Sequence, residues 1–332
     1  MNLKDRIKIL EWLRIYLLEN PPDFGEAKEE AFYRNSWFTP EFIDLSITNI
    51  TRQFLDPDVL AEAISRYQIP DQSPQPKTIG IVMAGNIPLV GFHDFLLTFL
   101  AGHKQVVKLS SRDQVMLPHL MEAITSSFHE FGEWIGFADS LKGCDAYIAT
   151  GSNNTARYFE QYFAKYPHII RKNRTGIAIL DGTESEAELE SLSDDIQLYY
   201  GLGCRNITQV WVPAGYDFTQ LLKALDKYDY FLENHKYKNN YDFVLTVNMM
   251  NKEAYFTNDS IVISPGSSPF AGISNLKYAY YKLPDDVIST LNPDEVQVIC
   301  GHRYTAFGQA QCPGFFDYAD GVDTLRFLTT LN

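Results

Sequence analysis

Thr78-Ile79-Gly80-Ile81-Val82-Met83-Ala84-Gly85-Asn86-Ile87-Pro88 carries an unbroken apolar run into a Gly-Asn turn and then a proline. A strand that is apolar at every position is buried on both faces, which is the condition of a parallel strand covered by helices. The glycine lets the main chain turn tightly, and a proline suits the first turn of a following helix, so the stretch predicts strand, loop and a helix from Pro88 to Leu100. The pattern then repeats. Gln105-Val106-Val107-Lys108-Leu109 reads as a second strand, Gln114 to Phe131 as a helix and Ala146-Tyr147-Ile148-Ala149 as a third strand. Gly151-Ser152-Asn153-Asn154 opens a further helix, and His168-Ile169-Ile170 and Gly176-Ile177-Ala178-Ile179-Leu180 complete the series. Alternation of this kind implies βαβ units and a doubly wound α/β sheet, whose ligands sit beyond the strand C-termini.

Before this section the chain reads as helical. Leu3, Ile7, Leu10, Leu13 and Leu17 recur at helical spacing and stop before Asn20-Pro21-Pro22. Thr39-Pro40-Glu41 and Asp56-Pro57-Asp58 each set a capping side chain before a proline at the first helical position. After it, Asp181-Gly182-Thr183 reads as a boundary, and an acidic helix, Glu184 to Tyr200, leads into a second α/β region. We therefore expect two domains: residues 1–182, helices plus a doubly wound domain of nucleotide-binding layout, and residues 183–332, a second α/β domain that carries Cys204. Ser264-Pro265-Gly266-Ser267-Ser268-Pro269 is its conspicuous loop, and Asn234-His235-Lys236-Tyr237-Lys238-Asn239-Asn240-Tyr241 also reads as a loop. No internal repeat is visible.

The 332 residues are 45% apolar and 21% charged, with a net charge of -14, a globular composition whose acidity opposes phosphate backbones and anionic membrane surfaces. Nucleic acid is not an expected partner. The charged start, Met1-Asn2-Leu3-Lys4-Asp5-Arg6, lacks the apolar core of a signal peptide, and no later run reaches membrane-spanning length, so a cytoplasmic location is expected. Cys144, Cys204, Cys300 and Cys312 show no paired spacing, which argues for reduced thiols and against a cysteine-based metal site. No metal is expected.

Among these thiols Cys204 stands apart, in Tyr199-Tyr200-Gly201-Leu202-Gly203-Cys204-Arg205-Asn206. Two glycines clear its approach, and Arg205 with the backbone amides after Gly203 would supply the positive potential a thiolate needs. On this segment alone a buried, inert cysteine is the favoured reading. The turns Ala84-Gly85-Asn86-Ile87-Pro88 and Ala149-Thr150-Gly151-Ser152-Asn153 lie between strand and helix, where backbone N–H groups can meet phosphates or oxyanions. Neither has dinucleotide-fingerprint or P-loop spacing. Asn86 offers an amide donor for an oxyanion, and Lys108 before Ser110-Ser111-Arg112 offers a cation at a strand end.

The succession Ala84-Gly85-Asn86-Ile87-Pro88, Gly102-His103-Lys104-Gln105-Val106-Val107-Lys108-Leu109-Ser110, Ala149-Thr150-Gly151-Ser152 and Gly201-Leu202-Gly203-Cys204 resembles the motif order of the aldehyde dehydrogenase superfamily. It is most similar to the acyl-CoA reductase family typified by the bioluminescence fatty acid reductase subunit, over roughly residues 75 to 215. The resemblance implies an aldehyde dehydrogenase-like fold, with a Rossmann-like cofactor domain and an α/β catalytic domain. It assigns Cys204 as the acyl-carrying nucleophile and Asn86 to the oxyanion site. It places Lys108, Ser110 and Ser111 at the adenosine half of the cofactor and Thr150, Gly151 and Ser152 near its diphosphate. Glu295, in Pro293-Asp294-Glu295-Val296-Gln297, is the candidate for the nicotinamide ribose, although the family pattern around it is absent.

One departure is informative. The glutamate that activates water in the hydrolytic members would fall near Lys172-Asn173-Arg174-Thr175-Gly176, where no carboxylate stands. The expected activity is therefore NAD(P)H-dependent reduction of an acyl-CoA, fatty acyl included, to an aldehyde. NADPH is preferred over NADH because Lys108 and Arg112 suit a 2'-phosphate. An acyl phosphate or an acyl carrier protein thioester is the alternative substrate, and a non-catalytic nucleotide-binding scaffold the alternative role. His93, His168 and His235 are unranked candidates for the proton acceptor. The chain is short for the superfamily, so the strand-swapping oligomerisation element is expected to be reduced or missing. A homodimer, or a partner enzyme that exchanges acyl groups, stays open.

Overall fold

A computed structural model describes residues 1–73 and 75–331. It divides into two compact units: Met1–Asn173 together with Pro313–Asn332, and Arg174–Cys312. The chain thus leaves the first unit before Gly182 and returns to it at residue 313. The reason lies in strand pairing, because the strand that begins at Thr175 hydrogen-bonds to partners in the second unit.

In the first unit, α1 (Leu3–Glu19) buries Ile9, Leu10, Leu13 and Leu17, with Asn2 as its N-cap. Arg6 lies in the same stripe and is fully buried. Its guanidinium donates to the Met1 and Pro70 carbonyls, and burial lowers its pKa to about 10. Three more helices follow: α2 (Pro22–Arg34), α3 (Pro40–Asn49) and α4 (Pro57–Tyr67). Thr39 and Asp56 cap α3 and α4 through their side chains, as the proline positions imply. Then β1 (Thr78–Val82), α5 (Phe92–Leu100), β2 (Lys104–Lys108), α6 (Met116–Ser127), β3 (Ile135–Phe137), β4 (Ala146–Thr150), α7 (Asn153–Phe163) and β5 (His168–Arg171) build the sheet.

The strand order is β3-β2-β1-β4-β5, with every pairing parallel. It reverses direction between β1 and β4, and an α/β sheet opens a ligand crevice at the C-terminal ends of its strands at such a reversal. Helix α5 begins at Phe92 and not at Pro88, because Leu89 holds a left-handed φ of 54°, incompatible with a right-handed helix. Strand β3 is only three residues long and had no periodicity to announce it.

The second unit contains β6 (Thr175–Ile179), α8 (Glu186–Gln197), β7 (Ile207–Pro213), α9 (Thr219–Leu225), α10 (His235–Asn251), β8 (Phe256–Thr257), β9 (Val262–Pro265), β10 (Asn275–Tyr281), α11 (Pro284–Thr290) and β11 (Val296–Cys300). Its sheet order is β11-β6-β7-β10-β9-β8, antiparallel only at the β8 edge. The stretch Asn234–Tyr241 is the opening of α10 and not a loop. Asn234 caps it by accepting from the Lys236 and Tyr237 amides, and Tyr237 and Tyr241 bury one face at i, i+4 spacing. Asp181-Gly182-Thr183 is an ordinary βα turn of this unit, closed by the Glu184 carboxylate on the Asp181 and Gly182 amides. Among the described residues no helix is long and apolar enough to cross a membrane.

Candidate functional site

In the first unit the pairing register gathers the expected cofactor residues on one edge. Val82 lies opposite Lys108 on one side and Ala149 on the other, so the turns after β1, β2 and β4 leave the sheet together. Lys108, Ser111 and Ser152 are exposed there, and Asn86, Ser110, Thr150 and Gly151 are half-buried. The first two turns are packed tightly: a Cβ on Gly85 would lie 2.5 Å from the Ser110 Cβ, so glycine is required. Ser110 also accepts from the Arg112 amide at 3.3 Å.

The turn that carries Asn86 is held from both sides. Ser46 Oγ donates to the Pro88 carbonyl at 2.7 Å, and the amide of left-handed Leu89 donates to Asp113 Oδ2 at 3.0 Å. Asp113 is buried, and burial pushes its carboxyl up to about 6 against the pull of that amide. Sequence reading passed over Asp113, because nothing local marks an aspartate that serves a turn two dozen residues upstream.

The turn after β4 differs from expectation in one respect. The Gly151 amide is already committed to the Arg171 carbonyl at 3.2 Å, and Ser152 Oγ caps α7 by accepting from Thr155 at 3.2 Å. Anion binding at this turn would fall to the next amides of α7 and to hydroxyl donation, not to Gly151 N–H. Of the histidine candidates, His168 starts β5 at the opposite edge of the sheet and bonds Tyr166 O through Nδ1 at 2.8 Å. His235 is exposed at the first position of α10.

His93 belongs to the core of the first unit. It stacks on Phe54 at 4.6 Å and Tyr318 at 6.0 Å and meets Phe315 edge-on, with Nε2 buried without a hydrogen-bond partner. Burial lowers its pKa to about 4, a poor match for a base working near neutrality. Between that value and about 6.5 the unfolded chain binds the proton that the folded ring refuses, so this ring's contribution weakens as pH falls. Relative to His93→Phe, the wild type should lose about 1.4 kcal/mol of stability per pH unit from pH 6 to pH 4.5, read from urea unfolding. Parallel curves for the two proteins would contradict a His93 ring that stays neutral in the folded chain.

In the second unit Cys204 is the exposed thiol; Cys144 and Cys300 are buried and Cys312 is half-buried. Burial raises the thiol pKa of each of those three. Cys204 stands in a tight turn, Gly203 to Asn206, closed by the Asn206 amide on the Gly203 carbonyl at 3.2 Å. It is not at a helix N-terminus. Arg205 does not serve the thiol through Nε, which donates to the Ala310 carbonyl at 2.6 Å and ties the turn to the 301–312 segment. The same segment is anchored by Asp195, fully buried, which accepts from the Gly308 and Ala310 amides at 2.7 and 2.9 Å.

The approach to Cys204 is shaped by backbone. Tyr199, Tyr200 and Gly201 take successive left-handed φ values of 56°, 56° and 73°. The carboxamide of Asn206, fully buried, accepts from the Gly203 amide at 2.7 Å and donates to the carbonyls of Asp195, Ile196 and Leu198 at 2.9–3.2 Å. Sequence reading missed this residue too.

Glu295 precedes β11, half-buried, on the same edge of the second sheet as the Cys204 turn and two strands across, about 10 Å by strand spacing. Its carbonyl accepts from the Thr175 amide at 2.9 Å. With Gln209, Trp211, Tyr278 and Tyr280 it lines a cleft of about 580 Å³. Asp181, Glu184 and His302 also cluster, but His302 bonds Asp181 at 2.9 Å and Glu188 at 3.2 Å, while Glu184 closes the turn described above. The stretch Lys172–Gly176 holds no acid. Lys172 pairs with Glu160 at 2.8 Å, and Arg174 donates to the Pro293 carbonyl at 2.8 Å.

No family model matches the chain. No curated protein matches it either. Solved structures do. An NADP-dependent enzyme of E. coli superposes with a TM-score of 0.67 at 14% identity, over 90% of this chain and 73% of its own. The NAD-dependent benzaldehyde dehydrogenase of Corynebacterium glutamicum gives 0.64 at 12% identity, over 90% and 76%. The aldehyde dehydrogenase of Mycobacterium tuberculosis, solved with NAD+, gives 0.61 at 14% identity, over 87% and 71%.

The fold is that of the aldehyde dehydrogenases. At these identities the likeness concerns the path of the chain and leaves residue roles to chemistry. The expected α/β architecture, with a Rossmann-like parallel sheet, is thereby established.

Proposed function

We propose that this chain is an NAD(P)(H)-dependent oxidoreductase acting between aldehydes and activated acyl groups, and specifically a reductase of acyl-CoA thioesters. The observation that carries the reading is one exposed cysteine on a tight turn of an aldehyde dehydrogenase fold, together with the acid-free stretch Lys172–Gly176. A thiolate at Cys204 adds to the acyl carbonyl, the CoA thiolate leaves, and the acyl group stays as a thioester on Sγ. Asn86 is the amide we assign to the oxyanion. With no carboxylate to activate water at Lys172–Gly176, the intermediate is protected from hydrolysis and exchanges with a thiol.

The donor set fits a nicotinamide dinucleotide: an exposed lysine and several hydroxyls stand at the strand-order reversal of the first unit. Lys108, Ser110 and Ser111 would hold the adenosine half, Thr150, Gly151 and Ser152 the diphosphate side, and Glu295 the nicotinamide ribose. When bound, NAD(P)H supplies the hydride that, with one proton, converts the Cys204 thioester to aldehyde and free thiol.

The test is intact mass after incubation with acyl-CoA of several chain lengths in the absence of NADPH. An acyl increment that maps to Cys204 supports the reading; none at any length sinks it. NADPH oxidation with acyl-CoA, acyl phosphate and acyl carrier protein thioester then ranks the donors. Lys108→Ala should weaken NADPH binding about tenfold to a hundredfold, because a charged hydrogen bond is lost. An unchanged Kd by fluorescence titration would remove Lys108 from the site.

A further inference from the structure

We propose that Asn206 is the positioning residue for the nucleophile, fixing the Cys204 turn by capping helix α8 from the opposite side of the chain. This rests on the reading of Cys204 given above. Helix α8 ends at Gln197, and its last carbonyls form the negative end of the helix dipole. The chain then reverses hand through Tyr199 and Tyr200, where left-handed backbone is costly for residues with a Cβ, before it reaches Cys204. Such a segment persists only where its surroundings over-determine it.

The surroundings are visible. Tyr199 and Tyr200 are buried, and the Tyr200 ring packs on Phe231 at 4.3 Å and Tyr237 at 5.7 Å. Asn206 closes the other side. Its two amide hydrogens are spread over the carbonyls of Asp195, Ile196 and Leu198, and its oxygen takes the Gly203 amide. Its own backbone carbonyl accepts from the Gly176 amide at 2.8 Å and Thr175 Oγ1 at 3.1 Å, which ties the turn to β6.

A carboxamide supplies both donors and an acceptor at this size. An aspartate keeps the shape and the acceptor but loses the donors and sets a negative charge against the α8 carbonyls, two residues from the thiol. A thiolate beside that charge is disfavoured, so the acidity of Cys204 reports on the carboxamide.

Two variants test this on the full chain. Asn206→Ala should lower kcat by about a hundredfold with little change in KM for the acyl donor, as a misplaced nucleophile does. It should also slow iodoacetamide alkylation of Cys204, followed by peptide mass spectrometry. Asn206→Asp should move the pH midpoint of that alkylation upward, a readout that general loosening would not shift in one direction. A folded Asn206→Ala protein, with wild-type circular dichroism and NADPH affinity, that alkylates and turns over at wild-type rates overturns the proposal. If that variant does not fold, an unmoved midpoint in Asn206→Asp does the same. Alkylation reads the thiolate directly, so it decides the role of Asn206 even where acyl thioesters prove not to be substrates.

Discussion

Cys204→Ser is expected to remove acyl transfer, lowering kcat by about four to six orders of magnitude while leaving NADPH affinity within about twofold of wild type. The size follows from the step that is lost. A serine hydroxyl is far less acidic than a thiol, so far less of it is present as the attacking anion near neutrality. Nor can another cysteine take over: Cys144 and Cys300 are buried, Cys312 is half-buried, and all three have thiol pKa values raised by burial. The measurement is single-turnover NADPH oxidation with an acyl-CoA donor, paired with mapping of the acyl adduct. Retention of more than about one per cent of wild-type rate would exclude a covalent route through Cys204. If neither protein turned over and no nicotinamide cofactor bound, the chain would be a scaffold that keeps the fold without the catalysis.

Arg171→Ala is expected to destabilise the first unit by about 3–5 kcal/mol, on the order of 10 °C in Tm. Arg171, at the end of β5, donates from one guanidinium nitrogen to both oxygens of Asp94 on α5, at 2.8 and 2.7 Å. Its second terminal nitrogen donates to Thr324 Oγ1 at 2.8 Å. The side chains of the ion pair are 7% and 8% exposed, so removing the arginine strands a carboxylate away from water. Thr324 opens the C-terminal helix (Thr324–Thr329), and the same cluster therefore holds the returning segment to its unit. Replacing both charges, as in Asp94→Leu with Arg171→Met, should recover most of the loss, because a buried pair is worth little more than apolar packing of similar volume. A single variant that melted like wild type would mean that the pair is hydrated.

Much of this chain was readable from neighbouring residues. Thr39 and Asp56 before prolines announce α3 and α4, and the uniformly apolar runs announce β1 and β4, because capping and two-sided burial are written within a few residues. Motif order likewise put Lys108 at a strand end and Asn86 on the turn after a strand, and the register sets Val82, Lys108 and Ala149 side by side, so the turns after β1, β2 and β4 share one sheet edge. Other features resisted. Asn234–Tyr241 looked polar enough for a loop, yet a cap and two tyrosines one turn apart make it helical once there is a core to bury them.

The exposed thiol with which the chain presents itself to chemistry divides along the same line. Sequence alone determined the alternation of strands and helices, the absence of a carboxylate at Lys172–Gly176 and the glycines before Cys204, since each depends on residue type and local spacing. Tertiary structure decided that Cys204 is exposed while Cys300 is not, that Arg205 turns to Ala310, and that Asn206 reaches back to α8. Those outcomes depend on which distant backbone groups need a partner, and a buried carbonyl recruits its donor by proximity in space, which no spacing along the chain records.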